Sequence, residues 1–271
     1  MMRALYTAAT GMIAEQTNVD TISNNLANVN TNGFKTQRAE FKSLLYQTLQ
    51  TRTTTADGEE KPVGAQVGLG TRIASITSMY TQGALIASES PTDFALEGEG
   101  FFAIRGADGE IAYTRNGNFQ WGLTEDGRTA LVDTMGCMVL DTNGNPIYTP
   151  ANVATESIRF SNTGLIGYET ADGEYVDMQQ QFAIYYFDNP SGLERLAYSR
   201  LKPTEASGEP TLQGNGVTGV TQVHQNYLEG SNVQVADEMV NLIIAQRAYQ
   251  MNSKAITTAD SMLEIANNLK R

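Results

Sequence analysis

The stretch "SNNLANVNTNGFK", residues 23 to 35, places a cluster of asparagines at the end of an amphipathic helical pattern. Leu26, Val29 and Phe34 form its apolar framework. The asparagines around this framework are Asn24, Asn25, Asn28, Asn30 and Asn32. Asparagine is a weak helix former and a good cap and turn residue, and Asn-Gly at positions 32 and 33 suits a left-handed helix stop. The stretch therefore predicts a helix that ends near residues 30–33.

Upstream of this stretch, apolar residues repeat every seven positions, with Glu15 as the exception. The members of the heptad series are Leu5, Met12, Val19 and Leu26. The offset of three positions is filled by Ala8, Ile22 and Val29. This spacing is typical of a helix with one apolar seam.

The C-terminal segment repeats the same pattern. Its heptad series is Val235, Leu242, Tyr249, Ile256 and Leu263. Small residues lie three positions after members of this series: Ala245, Ala259 and Ala266. Small side chains permit close approach of a neighbouring helix, and two long apolar seams at opposite ends of one chain are most simply paired with each other or with other copies.

Between the helical patterns the signals change twice. Residues 48–71 are rich in Thr and Gly and carry no helical period, which predicts an extended arm. Residues 73–220 contain short β-prone runs such as "DFALEGEGFFAI" and "EIAYTRNGNFQW", separated by Asp-Gly and Asn-Gly turns. This pattern predicts an all-β domain, and residues 73–225 are expected to fold alone as a soluble monomer.

We therefore predict an α+β fold in which a discontinuous helical coiled-coil domain, built from both terminal segments, carries an inserted β-rich domain. Residues 1–45 form the N-terminal helix of the coiled-coil core, and residues 46–72 form the extended arm. Residues 73–225 form the β-rich outer domain, and residues 226–271 form the C-terminal helix of the core.

Charge and composition exclude several partners. With 30 acidic and 18 basic residues the net charge is −12, which argues against nucleic-acid binding because phosphate contacts need clustered Lys and Arg. The single cysteine, Cys137, lies in the apolar run "MGCMVL" and is expected to be a buried free thiol. Since 18 consecutive apolar residues occur nowhere, we predict no membrane insertion.

Motifs that could carry chemistry are weak. The "GEG" at residues 98–100 imitates a dinucleotide fingerprint, but a strand pattern follows it. Residues 141–145 begin like a calcium loop that lacks its required Gly and Glu, which favours a hairpin turn. His224 is the only histidine, and Glu97 and Glu99 point to one strand face without a sugar-binding cleft. We predict no catalytic, cofactor-binding or metal-binding residues, and hence no cofactor and no enzyme.

With both helical patterns and the insertion in place, the sequence closely resembles the bacterial flagellar axial proteins, the rod and hook family. The stretches that carry the resemblance are "MMRALYTAATGM", "NNLANVNTNGFK", "LLYQTL", "VGLGTR", "LEGEGFFAI", "AYTRNGNF", "FDNPSGLE" and "NYLEGSNVQVADEMVNLIIAQRAYQMNSKAITTADSML". The opening Met-Met-Arg, and "LLYQTL" followed by "VGLGTR", look like the distal rod type. The family motif residues in this chain are Asn24, Asn25, Asn28, Asn32, Gly33 and Phe34.

The resemblance implies a structural subunit of the distal rod that self-assembles into a hollow helical tube and transmits torque from motor to hook. Implied partners are other copies of the chain, proximal rod and hook subunits, the surrounding ring proteins and the flagellar type III export apparatus. The implied location is the basal body, in the periplasm or cell-wall space, reached without a cleavable signal peptide. The alternatives are a proximal rod subunit, or a cell-wall-associated β domain that binds or hydrolyses sugar.

The same resemblance suggests roles for the seams and the asparagines. The expected subunit-packing residues are Leu5, Met12, Val19, Ile22, Leu26, Val29, Val235, Leu242, Tyr249, Ile256 and Leu263. In a helix buried among neighbouring subunits, the asparagine amides would form lateral hydrogen bonds without a charge to desolvate. The alternative for the asparagines is an exposed helix end followed by a loop.

Overall fold

The computed structural model describes residues 2–50, 65–124, 127–150, 157–169, 175–214 and 221–269. The chain divides into two compact units, each assembled from segments that are distant in sequence. The helical unit comprises Met1–Ala27, Gln37–Ser78 and Gln234–Arg271, and the β-rich unit comprises Asn28–Thr36 and Met79–Val233. The backbone therefore passes from one unit to the other four times. The predicted α+β class is confirmed.

Helices α1 (Met2–Ala27) and α2 (Val235–Asn268) pack against each other in the helical unit. They run antiparallel, because Asn25 near the end of α1 lies 3.2 Å from Glu238 at the start of α2, whereas Gly11 lies beside Asn252 farther along α2. At Gly11, the side-chain amide of Asn252 occupies the space that a Cβ would enter. A residue without a side chain is therefore what allows contact at this point.

A two-stranded antiparallel ribbon completes the helical unit. Its strands are β1 (Gln37–Ser43), β2 (Tyr46–Gln50), β3 (Ala65–Gly68) and β4 (Thr71–Ser78). β1 pairs with β4 from Gln37↔Ser78 to Ser43↔Thr71, with a bulge at Glu40/Phe41, and β2 pairs with β3. Backbone bonds from Leu44 to Gly70 and from Leu69 to Leu45 join the two ladders. The predicted arm is thus a ribbon at its base, and its residues 51–64 lie outside the described residues.

Several predicted boundaries differ from the structure. Helix α1 ends at Ala27 instead of near residues 30–33, and residues 37–43 of the predicted N-terminal helical segment form strand β1. The predicted start of the β-rich domain at residue 73 lies inside β4, which belongs to the helical unit. The physical reason is long-range pairing: the residues of β1 pair with residues of β4 that lie 28 to 41 positions later in the chain, which a local heptad pattern does not detect.

The strands of the β-rich unit are mostly short. They are β5 (Leu85–Ala87), β6 (Phe94–Glu97), β7 (Phe101–Arg105), β8 (Ile111–Thr114), β9 (Phe119–Leu123), β10 (Thr129–Asp133), β11 (Met138–Val139), β12 (Ile158–Phe160), β13 (Leu165–Glu169), β14 (Tyr175–Gln181), β15 (Ile184–Tyr186), β16 (Glu194–Arg195), β17 (Arg200–Lys202), β18 (Thr211–Leu212), β19 (Gln222–Gln225) and β20 (Tyr227–Glu229). A 3-10 helix occupies Pro190–Gly192. Strand β20, at the start of the predicted C-terminal helical segment, pairs with β5.

The strand pairs among the described residues of this unit are all antiparallel. In the described residues the largest sheet runs β16-β17-β8-β7-β11-β10-β9, and β15 pairs with β7 and β18. β12-β13-β14 form a smaller sheet, and β19 pairs with β6. Of the predicted Asp-Gly and Asn-Gly turns, those at 108, 116 and 143 lie between these strands or beside them, and residues 126 and 172 lie outside the described residues.

Strand β7 is the centre of the hydrophobic packing, because its two faces enter different clusters. Phe102 and Ile104 belong to a cluster that also contains Phe119 and Phe182. Alternate residues Phe101 and Ala103 belong to a second cluster with Tyr113, Leu140 and Phe187 on the opposite face. Successive side chains of a strand point to opposite faces, so the run "FFAI" can be apolar throughout only where both faces are covered.

We expect Phe102→Ala to lower the free energy of unfolding of the β-rich unit by about 3–5 kcal/mol, because it removes a fully buried ring. The measurement is urea unfolding of the full chain followed by the fluorescence of Trp121, which packs against the same cluster. The matched control is Leu123→Ala on β9, where the side chain is 78% exposed. A control loss as large as that of Phe102→Ala would contradict the assigned core.

Candidate functional site

Asn25 connects three parts of the helical unit through one buried side chain. Its Nδ2 donates to the backbone oxygen of Gln37 at 2.8 Å, and its Oδ1 accepts from the backbone nitrogen of Gln37 at 2.9 Å. The same Nδ2 lies 3.2 Å from Oε2 of Glu238 in the first turn of α2. The amide therefore fixes the start of β1 against both helices, which requires a donor and an acceptor in one neutral group.

The rest of the asparagine-rich stretch, residues 28–36, crosses the β-rich unit as an irregular segment that we name the strap. Gly33 in the strap has φ +68°, and its backbone nitrogen donates to the backbone oxygen of Glu229 at 2.8 Å. A Cβ at Gly33 would lie 2.8 Å from the backbone of Arg115 and of Asn116. Both the left-handed conformation and the close backbone approach therefore require glycine here.

A buried ionic cluster joins the strap to two strands of the β-rich unit. It consists of Lys35 in the strap, Arg115 directly after β8 and Glu229 at the end of β20. Lys35 Nζ donates to Glu229 Oε1 at 2.6 Å and to the backbone oxygen of Thr81 at 2.8 Å. Arg115 Nη1 lies 3.5 Å from Glu229 Oε2, and Arg115 Nη2 donates to the backbone oxygen of Gly98 at 2.6 Å. The three side chains are at most 5% exposed. The cluster thus holds two cations against one carboxylate away from water.

Burial controls the electrostatics of this cluster. Loss of hydration lowers the pKa of Lys35 below its ordinary value of 10.5, although the charge and hydrogen bond of Glu229 act in the opposite direction. Burial likewise lowers the pKa of Arg115, against the charges of Glu229 and Glu99. Removing water from a charge costs free energy that only close pairing offsets, so the position of Glu229 matters to both cations.

Asn232 binds the C-terminal end of the strap. Its Oδ1 accepts from the backbone nitrogen and the hydroxyl of Thr36, both at 2.7 Å. Its Nδ2 donates to the backbone oxygen of Met79 at 2.8 Å and to the hydroxyl of Thr81 at 2.8 Å. The chain leaves the β-rich unit after Thr36, enters it again at Met79 and leaves it after Val233. The side-chain amide of Asn232 therefore connects residues close to three of the four boundaries of this unit.

The predicted N-terminal packing residues differ in burial. Ile22 is buried, whereas Leu5, Met12, Val19, Leu26 and Val29 are only partly buried. The buried positions of α1 are mostly small or polar: Ala8, Ala14, Thr21, Ile22 and Asn25. Among the motif residues, Asn25 and Gly33 are buried, Asn28, Asn32 and Phe34 are partly buried, and Asn24 is exposed.

On α2 the predicted seam lies beside the contact with α1. The buried positions of α2 are Glu238, Ala245 and Ala259. Leu242, Ile256 and Leu263 are partly buried, while Val235 and Tyr249 are 42% and 41% exposed. Tyr249 and Val19 line a groove of about 310 Å³ between the helices, whose other lining residues are Gln16, Gln246 and Gln250. Small residues make the closest contact, and the larger seam residues flank it.

The heptad count missed a second apolar stripe on α2. Its members are more than half exposed: Val240, Ile244, Met251, Met262 and Ile265. At about 100° per residue these positions share one face of the helix, away from Ala245 and Ala259. A helical-wheel projection of "MVNLII" at residues 239–244 gives the signal, since that run is apolar on more than one face. On α1, Met2, Tyr6 and Ile13 are also exposed.

The remaining motifs have local structural roles. His224 Nε2 lies 2.6 Å from Glu97 Oε2 across the β19–β6 pair. Asp141 Oδ1 accepts from the backbone nitrogens of Asn143 and Asn145 at 2.9 and 2.7 Å, which is the geometry of a turn. Cys137 is buried. In the part of the chain that the structure describes, no cluster of three or more His, Cys, Asp or Glu could hold a metal ion. Nor do the described helices include one long and apolar enough to span a bilayer.

The lowered pKa of Lys35 predicts a pH-dependent stability. Below 10.5 the unfolded chain holds more protons at Lys35 than the folded chain, so the β-rich unit gains stability as pH rises through the lowered pKa. We expect wild type to gain stability relative to Lys35→Met as the pH rises toward 10.5, by at most about 1.4 kcal/mol per pH unit. Urea unfolding at each pH measures this difference. Parallel pH profiles would contradict the assignment.

Three family models match the chain. The flagella basal body rod protein model matches residues 5–35, which hold most of α1 and of the strap. The flagellar hook protein FlgE/F/G D1 domain model matches residues 95–168 of the β-rich unit. The flagellar basal body rod FlgEFG protein C-terminal model matches residues 224–269, which include α2.

Full-length relatives agree with these models. Flagellar basal-body rod protein FlgG of Borreliella burgdorferi is 44% identical over 272 residues that cover 100% of both chains. The protein of the same name from Caulobacter vibrioides is 41% identical, with 99% of this chain and 100% of the relative covered. That of Bacillus subtilis is 36% identical, with both chains covered completely. The chain therefore belongs to the family of flagellar basal-body rod proteins.

Proposed function

We propose that this chain self-assembles into the hollow helical tube of the distal rod and transmits torque from motor to hook. Membership of the rod-protein family makes it a structural subunit of the flagellar basal body. The relatives support neither a proximal rod subunit nor a sugar-binding or hydrolytic β domain. We further propose that the chain has no enzymatic activity.

The observation that carries the proposal is the exposed apolar stripe of α2. Contiguous apolar surfaces larger than about 300–600 Å² are rare on monomers and mark sites of association. The stripe extends along the helix from Val240 to Ile265, and the exposed residues Arg247 and Thr258 interrupt it on the same face. A long apolar face of this kind fits other copies of α1 and α2 better than it fits water.

The arrangement of surfaces favours a polymer over a closed dimer. The apolar stripe of α2 and the groove lined by Val19 and Tyr249 are different surfaces of the helical unit. If the stripe of one copy covers the groove of the next, each added copy presents a free groove or stripe. Such heterologous contacts generate rings or open helices, and an open helix is what a rod requires.

In this proposal α1 and α2 form a discontinuous coiled-coil core, and residues 79–233 form an inserted β-rich outer domain. Because the chain passes between its units four times, a load between them is divided over four backbone connections. The predicted packing residues and the exposed stripe would then both contribute to contacts between subunits, from different faces of the helices.

The ribbon is proposed to make further contacts between subunits. Leu45, Tyr46 and Leu49 are 82%, 63% and 52% exposed, although all three lie on or beside its strands. A two-stranded ribbon is marginally stable alone in water, so contacts with adjacent copies would stabilise it. Through these contacts the ribbon would also stiffen the tube.

The further partners are proximal rod subunits, hook subunits and the basal-body rings around the rod. Export by the flagellar type III apparatus would deliver the chain to the periplasm or cell-wall space. These assignments rest on the family and on the sequence resemblance.

The test is a charge placed in the exposed stripe. We expect Ile244→Asp to abolish ordered tubes and motility, because each contact would bury a carboxylate within the apolar stripe, while the β-rich unit stays folded by Trp121 fluorescence. Electron microscopy of concentrated protein and of basal bodies from cells carrying the variant measures assembly.

The matched control is Thr257→Asp, which adds the same charge to an exposed position of α2 outside the stripe. We expect this variant to assemble and to support motility. Normal tubes built from Ile244→Asp subunits would overturn the assignment of the stripe. Equal failure of both variants would show that any added charge on α2 blocks assembly, and would overturn it as well.

A further inference from the structure

We infer that the strap can detach from the β-rich unit while the rest of the unit stays folded, and that Glu229 is the residue that keeps the strap attached. The inference concerns the internal coupling of the chain and does not depend on the proposed polymer. It identifies strap release as an opening of this unit that precedes loss of its hydrophobic core.

Most of the described hydrogen bonds between the strap and the rest of the β-rich unit converge on residues 229–232, and two more join Lys35 to Thr81 and Met79 to Thr36. Gly33 bonds to the backbone of Glu229 at 2.8 Å, and Phe34 accepts from the backbone of Asn232 at 3.4 Å. Lys35 bonds to the side chain of Glu229, and Thr36 bonds to that of Asn232. Within the described residues the strap joins no sheet. Segments held by isolated hydrogen bonds open at lower free energy than ladders of a sheet.

Glu229 is the centre of these contacts because it is the carboxylate that both cations face. Its Oε1 accepts from Lys35 at 2.6 Å and from the backbone nitrogen of Gly83 at 2.9 Å. Its Oε2 lies 3.5 Å from Arg115. Removing the charge of Glu229 would leave two buried cations facing each other, whereas removing Lys35 would leave a neutral pair of Arg115 and Glu229. The two changes are therefore expected to differ in severity.

Opening of the strap would separate Lys35 from Glu229 and leave Arg115 in place. Lys35 belongs to the strap, so release of the strap returns its ammonium to water, where its hydration is recovered. Arg115 remains attached by its bond to Gly98 and by its position 5.7 Å from the ring centre of Phe101. Relief of the buried charge thus requires movement of the strap and leaves the sheet intact.

Opening of the strap is linked to the N-terminal segment, because the strap lies between α1 and β1 in the chain. The strap follows α1 directly at Ala27 and precedes β1 directly at Gln37. Asn25 holds Gln37 through both backbone groups, so the two ends of the strap stay together and order in α1 and β1 limits how far the strap can open. Closure of the β-rich unit is therefore linked through the backbone to order in the N-terminal segment.

Native-state hydrogen exchange of the full chain tests the inference. We expect Glu229→Gln, which keeps the shape and removes the charge, to accelerate exchange at the amides of Gly33 and Gly83 at least tenfold. The core amide of Leu131, bonded to Ile147 at 3.0 Å, should change less than twofold. The control is Glu110→Gln, because Glu110 forms an exposed ion pair with Lys202 at 2.8 Å. This control should leave all three amides unchanged.

A second variant keeps the inference testable if Glu229→Gln does not fold. Lys35→Met should accelerate Gly33 severalfold, less than Glu229→Gln does, and should leave Leu131 unchanged. In either variant, unchanged exchange at Gly33 would overturn the inference, because Glu229 would not hold the strap. Equal acceleration at Gly33 and Leu131 would also overturn it, because the unit would then open only as a whole.

Discussion

The buried carboxylate of Glu229 is the constraint on which the β-rich unit depends. A charge removed from water must be paired closely, and its partners Lys35 and Arg115 come from segments that are distant along the chain. The unit can therefore be complete only when the strap, the residues before β9 and strand β20 have all come together. A fragment of residues 73–225, which we expected from the sequence to fold alone, lacks both Lys35 and Glu229, the two residues that complete the cluster with Arg115.

Polar side chains fasten the helical unit in a comparable way. Asn25 binds both backbone groups of Gln37 and reaches Glu238, so the start of β1 is fixed against α1 and α2 by a neutral group. The closest helix contacts use small residues such as Ala245 and Ala259. As a consequence, larger apolar residues such as Ile244 and Met251 lie on surfaces that this helix pair does not cover. Close packing inside the subunit thus leaves apolar surface for association.

Much of the fold could be predicted from local patterns. The heptads predicted helices at both ends, and the β-prone runs with their Asp-Gly and Asn-Gly turns predicted the β-rich region between them. The family also followed from short motifs and is confirmed by full-length relatives. Ala245 and Ala259, which the sequence marks as permitting close helix approach, are buried on α2. The larger seam residues flank the contact, because a seven-residue spacing drifts by about 20° per repeat on a straight helix. The packing role of the seam residues stays a prediction.

The sequence by itself determined the elements whose signals are local: helix periodicity, strand alternation, turn dipeptides and the glycine at position 33. Only the tertiary structure decided that residues 28–36 belong with the β-rich unit, that residues 71–78 belong with the helices, and that Lys35, Arg115 and Glu229 form one cluster. The physical reason is the distance in sequence over which each kind of interaction acts. Backbone conformation depends on neighbours within a few residues, whereas pairing of charges and strands depends on which distant segments the whole chain brings together.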